Sequence, residues 1–276
     1  MNIYYENNAG KKIEMNGFPI AIQDPESLFA YEWSYEMRSS STKITSFSKK
    51  VATKDVTLSI YADTKEQFGE IMTDLCSVAE TDVLAVTPGK LFVNGYYLEC
   101  YIYASSYTEF EEDFYTTDKK IQIVSAHPFW IKEELIAFAR ITNEIFKSEG
   151  LDYPLGYKYD YSNSLVNQKL INGHYTASDF EMTIYGSCEN PAISIGTHTY
   201  SVEASLITGE FIKINSITKK VYKVKNNGDV VNLFHYRGRD FYIFEKIPSG
   251  ILNVAWGGGF GFDIKLLSER SEPEWT

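Results

Sequence analysis

Apolar and polar residues alternate in short runs along most of this chain, which is the period of strands rather than helices. Val56-Thr-Leu58-Ser-Ile60-Tyr61 gives one apolar and one polar face. Leu91-Phe-Val93-Asn94-Gly95-Tyr96-Tyr97 places Asn-Gly between aromatic flanks, which predicts a tight hairpin. The strand that follows puts Leu98, Cys100 and Ile102 on one face and Tyr97, Glu99, Tyr101 and Tyr103 on the other. A second Asn-Gly, Asn227-Gly228, predicts that a strand around Val221–Val224 turns back into Val230–Phe234. From Phe180 to Leu267 strand candidates follow one another with turns every 8–12 residues, the signature of a β-sandwich.

One segment breaks the period. Thr64-Lys-Glu-Gln67 has the form of a capping box, and behind it Phe68, Ile71, Met72, Leu75, Cys76 and Ala79 recur at helical spacing. A helix over about 64–79, packed by this stripe onto a sheet, is expected. Met37–Lys54 is different again. Between Arg38 and Lys50 its serines and threonines are broken by apolar residues only at Ile44 and Phe47, and the stretch carries Arg38, Lys43, Lys49, Lys50 and Lys54, so it reads as a long loop or projecting hairpin. A boundary is expected near His127-Pro128-Phe129-Trp130, where proline ends the run Ile121–Val124. Beyond it Glu133–Phe146 reads as strand, and Leu151–Tyr161, with aromatics around Pro154 and Gly156, as an extended connector. The chain divides into residues 1–132 and 133–276, the second including a connector over 147–165.

Composition narrows the classes. The 21 Tyr and 17 Phe favour half-buried pleated surfaces, so the fold class is mainly β, with two domains. A net charge of −11 disfavours a surface built for phosphate backbones, which argues against sequence-specific nucleic-acid binding, although an acidic wall could line a channel that DNA crosses. Cys76, Cys100 and Cys188 show no metal or CxxC spacing and read as small buried hydrophobes in a reducing cytoplasm. The N-terminus lacks a basic stretch followed by an apolar run, and no run approaches a membrane span, so synthesis in the cytoplasm without a membrane anchor is expected.

Candidate chemistry is sparse. Gly257-Gly-Gly-Phe-Gly261 lacks the Lys-Ser/Thr of a phosphate loop and reads as a bulge or close strand approach within a strand pattern. His127, His174, His198 and His235 have no partner at ligand spacing. Glu111-Glu112-Asp113 would place its carboxylates on alternating faces or on an exposed turn, and Gly186-Ser187-Cys188 has no neighbouring base. No catalytic residue, cofactor or metal is expected, and no enzyme.

Several motifs in order resemble the distal tail protein of siphophages, or prophages, of low-GC Gram-positive bacteria. These are Arg38–Tyr61, the helix at Thr64–Ala79, Pro128–Trp130, the Tyr/Asp/Pro run Leu151–Tyr161 and Phe180–Gly186. Asn190-Pro191-Ala-Ile, Thr199-Tyr200 and Gly209-Glu210-Phe-Ile-Lys-Ile-Asn215-Ser216 follow, the last where the family often has GE.I.I(N/D). Pro248-Ser-Gly250, Trp256 and Ser271-Glu-Pro-Glu-Trp275 close the set.

The resemblance implies an N-terminal β-sandwich with one helix that forms a ring, usually hexameric, and a C-terminal galectin-like β-sandwich. The ring would sit at the virion tail tip as a baseplate hub, joining the major tail tube protein to the tail-tip (tail-associated) protein, with a receptor-binding protein as a further partner. Subunit contacts are then expected at Arg38, Lys43, Phe47, Lys49, Lys50, Asn94 and Gly95. Trp130, Trp256 and Trp275 are expected in a core or between domains. Sugar-binding galectins carry His-x-Asn-Pro-Arg and Trp-x-x-Glu; here Asn190-Pro191 lacks the His and Arg, and Trp256 precedes glycines, so sugar binding is not carried over. The alternative reading is a carbohydrate-binding module for host cell-wall polysaccharide, with Trp256 or Tyr157 as stacking residues.

Overall fold

The computed structural model describes residues 1–38, 42–111, 115–141 and 166–275. The chain forms two compact units, Met1–Lys132 with Glu269–Thr276, and Glu133–Ser268. The sequence reading kept the last eight residues with the second half. They belong to the first unit instead, because side chains such as Trp275 and Glu274 find their partners there.

In the first unit, β1 (Ile3–Glu6), β2 (Lys12–Glu14), β3 (Asn16–Gly17) and β4 (Ile20–Ile22) are short. β5 (Ser34–Met37) and β6 (Ile44–Ser48) precede β7 (Ala52–Tyr61) and α1 (Lys65–Ala85). β8 (Gly89–Val93), β9 (Tyr96–Glu111), β10 (Thr116–Ser125) and β11 (Trp130–Phe138) follow, and β11 carries the chain into the second unit. Long β9 serves two sheets: Tyr96–Cys100 pairs with β8, which pairs in turn with β1, whereas its later residues pair with β10, then β7 and β4. Alternation along β10 buries Ile121 and Ile123, and β8 buries Leu91 and Val93. These side chains share one core with Leu58, Ile60, Leu98, Cys100 and Trp130.

The helix begins as predicted. Thr64 is the N-cap and accepts a hydrogen bond from Gln67 N, while Gln67 Oε1 accepts one from Asp63 N, one residue earlier than in a capping box. It runs six residues past Ala79, to Ala85, because its last buried position is polar. Asp82 is buried one turn beyond Val78, and accepts from Tyr5 OH at 2.6 Å and Asn8 N at 2.8 Å. Burial also pushes the Tyr5 phenol pKa upward. Gly89 has to be glycine: a Cβ there would lie 2.3 Å from Asp82 Oδ2. Cys76, expected on the buried stripe, is exposed; Val78 fills the core in its place.

The second unit is a sandwich. One sheet runs in the order β20 (Val230–Asn232), β19 (Lys220–Val224), β18 (Phe211–Asn215), β13 (Asp179–Tyr185), β22 (Phe262–Arg270). The other runs β12 (Val166–Asn172), β21 (Gly250–Trp256), β15 (Ala192–Ile195), β16 (His198–Ser201). Short β14 (Cys188–Glu189) pairs with β17 (Ser205–Leu206). Phe180, Met182, Ile184, Ile212, Ile214 and Ile264 of the first sheet share a core with Leu170, Ile193, Ile195, Val254 and Trp256 of the second. The Gly209-Glu210 motif has a structural cause. Gly209 takes φ +91 against Asn226, and Glu210 pairs with Lys223 at 2.6 Å, a hydrogen bond that holds its carboxyl below the usual range. The Asn227-Gly228 turn joins β19 to β20 as expected. Gly257–Gly261 lies between β21 and β22 rather than inside a strand; Gly261 permits close approach to Phe138 O and Arg140 N. The connector at Leu151–Tyr161, the end of Glu133–Phe146, and Glu112 and Asp113 lie outside the described residues.

Tyr5→Phe removes the donor to buried Asp82 and should destabilise the first unit by about 1–3 kcal/mol. Urea unfolding, followed by a probe confined to that unit, checks this.

Candidate assembly arm

β5 and β6 form a two-stranded ribbon that pairs with no other strand among the described residues. The register sets Tyr35 opposite Phe47, Glu36 opposite Ser46 and Met37 opposite Ile44, with Thr45 as an extra residue. That bulge matters. Ile44 and Phe47 are three positions apart and would face opposite sides of a regular strand; the inserted Thr45 returns Ile44 to the face of Phe47. Thr45 Oγ1 and Ser46 Oγ hold the bulge by donating to Glu36 O and Oε2, each at 3.1 Å. One face of the ribbon therefore carries Tyr35, Met37, Ile44 and Phe47. They are 60%, 57%, 43% and 60% exposed. A lone two-stranded ribbon is marginal in water, and an apolar face on it is surface awaiting a partner.

The root of the ribbon is fastened within the first unit. Lys49 Nζ donates to Pro128 O at 2.9 Å and lies 4.4 Å from the Phe129 ring centre, 5.3 Å from Trp33 and 5.5 Å from Tyr31. Trp33 meets Phe129 edge-on and donates to Ser271 Oγ. Lys54 Nζ donates to Ala30 O at 2.6 Å and Ser27 O at 3.2 Å, tying down the segment ahead of β5. Burial lowers the Lys49 pKa, which the Glu269 charge partly offsets. Burial, and then the neighbouring Lys49 charge, bring Lys54 down to about 8. The chain end closes the same region. Trp275 stacks on Phe29 with centres 3.9 Å apart, Arg270 pairs with Glu274 at 2.6 Å, and Asn94 Nδ2 donates to Glu274 O.

The expected contact residues separate into two groups. Arg38, Lys43, Phe47 and Lys50 are exposed on or beside the ribbon. Lys49 is half-buried and engaged inside its own chain. Asn94 and Gly95 form the β8–β9 turn with φ +49 and +81, a left-handed pair suited to a two-residue hairpin, and Asn94 Oδ1 accepts from Asn2 N. Trp130 and Trp256 are core residues of the first and second units. Trp275 lies on the surface, with one ring face on Phe29. Trp256, fully buried, packs edge-on against Phe138 and Phe262 and donates to Phe260 O, so it cannot stack on a sugar; Tyr157 lies outside the described residues. The Lys49 cage and the roles of Tyr35 and Met37 escaped sequence reasoning. The alternation Tyr31, Trp33, Tyr35, Met37 was the available signal.

Among the described residues no group of three metal-ligating side chains occurs, and no helix is long and apolar enough to cross a membrane. Neither a protein-family model nor a curated protein sequence matches the chain. Solved structures do. A chain of the phage P2 baseplate in its activated conformation with Ca is 14% identical, with a TM-score of 0.60 and 99% of each chain covered. The Sr form of that baseplate gives 13%, 0.60 and 99%. The SPP1 Dit (gp 19.1) protein, described as a paradigm of hub adsorption apparatus in Gram-positive infecting phages, is 8% identical, with a TM-score of 0.58 and 98% of each chain covered. At these identities the likeness is one of fold, and it runs the whole length of both units.

Lys49→Ala should empty the ring cage and raise amide exchange in β5 and β6 by about tenfold or more, leaving β7 protected, as hydrogen exchange will read. Lys54 carries a depressed pKa, so between about 8 and its ordinary 10.5 the unfolded chain binds the extra proton. Its burial penalty is thus full below pH 8 and is relieved as pH rises through that window. Unfolding measured against Lys54→Met from pH 7 to 10 should show wild type gaining stability relative to the variant.

Proposed function

We propose that this chain is a structural hub at the distal end of a phage tail, and that it works by assembly rather than by bond chemistry. The observation that carries the reading is the full-length fold likeness to SPP1 Dit and to a phage P2 baseplate chain. The arm supplies a mechanism. Its apolar face is laid down by one protomer to be covered by the next, and a head-to-tail contact of this kind closes into a ring when the rotation permits. Arg38, Lys43 and Lys50 add positive charge to the arm of a protein with net charge −11, which favours docking on an acidic neighbour. The ring is hexameric in this reading, sits in the virion at the tail tip, and joins the tail tube protein to the tail-tip protein and, through it or directly, a receptor-binding protein. The two-unit division at residue 132 then separates a ring-forming module from a peripheral sandwich.

Light scattering coupled to size exclusion, alone and with the tube or tip protein added, should give a mass near six times the 31.5 kDa of the chain. Ile44→Asp with Phe47→Asp should leave each chain folded, since both residues are exposed, and abolish the ring. A strict monomer under every one of these conditions would defeat the reading.

A further inference from the structure

The second unit holds a polar cavity of about 420 Å³ lined by His235, Arg237, Gly238, Arg239, Asp240, Phe241 and Tyr242. It has the size of a small-molecule site. It is also a concentration of guanidinium in a chain that has five arginines in all, two of them here within three residues. Among the described residues the side chains of Arg239 and Asp240, both exposed, have no hydrogen-bond or ion-pair partner.

The segment is held rigidly against β16. Gly238 N donates to Ser201 O, Glu203 N to Tyr236 O, and Arg237 bridges to Val202. A Cβ at Gly238 would press on Ser201 Oγ, so a larger residue there would require that hydroxyl to turn away. His198 braces the segment: its Nε2 lies 2.8 Å from the Tyr242 backbone O, and its ring meets Phe241 edge-to-face. Tyr242 in turn rests edge-on against buried Phe244. The Arg237 guanidinium carbon lies 4.0 Å from the centre of the Phe234 ring. Even so held, Tyr236, Phe241 and Tyr242 remain about half exposed, at 54%, 45% and 53%.

Exposed flat rings, two guanidiniums, of which Arg237 is held by Phe234, and one carboxylate make a composite demand on a ligand. The rings ask for a flat face bearing C–H groups, the guanidiniums for an anion, and Asp240 for hydroxyl donors. An acidic peptide would meet the cations but offers neither a flat C–H face to the rings nor sugar hydroxyls to Asp240. From this geometry we infer that the His235–Tyr242 cavity binds an anionic saccharide, a sugar bearing phosphate or carboxylate, with the charged group on Arg239 and the ring on Phe241 or Tyr242. The site is separate from the buried Trp256 and goes beyond assembly of the hub.

Isothermal titration of the intact chain with glucose 6-phosphate, glucuronate, glucose and inorganic phosphate tests it. Binding of either anionic sugar, at least about tenfold tighter than both glucose and phosphate, is expected, and the two sugars tell phosphate from carboxylate recognition. Arg239→Gln and Tyr242→Ser should each weaken it by about tenfold or more, while Lys65→Gln leaves it unchanged. Phe241→Ser serves if Tyr242→Ser fails to fold by circular dichroism. Phosphate binding as tightly as the sugars, a glutamate hexapeptide binding more tightly than either, or no heat from any probe at 10 mM (about the weakest binding such a site would show) overturns the inference. None of these outcomes bears on ring mass.

Discussion

A lysine ammonium seated among three aromatic rings fixes how the arm leaves the first unit. The ribbon beyond it has two strands and no third to lean on, and its exposed face is apolar, so nothing in the ribbon itself resists collapse onto the nearest surface. Lys49 resists it from below. Its charge is anchored on Pro128 O and shared over Phe129, Trp33 and Tyr31, while Lys54 pins the preceding loop by two carbonyls. Chain positions scattered from Ser27 to Ser271 meet at this root. The apolar face is thereby kept presented rather than buried within its own chain, as the proposed contact with another copy requires.

The two units divide the labour by chemistry. The first uses four aromatic residues for fastening: Trp33 and Phe129 at the arm, Phe29 and Trp275 at the chain end. The second buries Trp256 at the centre of its sandwich and gathers three half-exposed rings, Tyr236, Phe241 and Tyr242, along the segment held to β16. The departure from galectin motifs around Asn190 and Trp256 fits this arrangement, since the tryptophan serves packing and the free rings lie elsewhere.

Features set by local chemistry were legible in the sequence. Thr64 and Gln67 mark the helix start, Asn94-Gly95 and Asn227-Gly228 mark hairpins, and alternation from Phe180 onward marks a sandwich. What was not legible depends on partners far away in the chain. The helix outlasts its apolar stripe because Tyr5 and Asn8 satisfy Asp82. The arm's apolar face exists because Thr45 bulges, and a one-residue insertion changes which side chains share a face without leaving a mark in composition. The charges of Lys49 and Lys50 look alike on paper; one is caged and the other exposed, a difference made by Phe129 and Trp33. Trp275 finds Phe29 across nearly the whole length of the chain, so nothing near it in sequence could announce the contact.

The chain leaves the first unit at Lys132 and rejoins it at Glu269, so the sandwich is an insert within its host rather than a domain appended to it. Host and insert keep separate hydrophobic interiors. A cassette of this kind can be exchanged, enlarged or redecorated while the scaffold keeps its clasping tail. Clipping the final eight residues, by contrast, would injure the scaffold and spare the cassette.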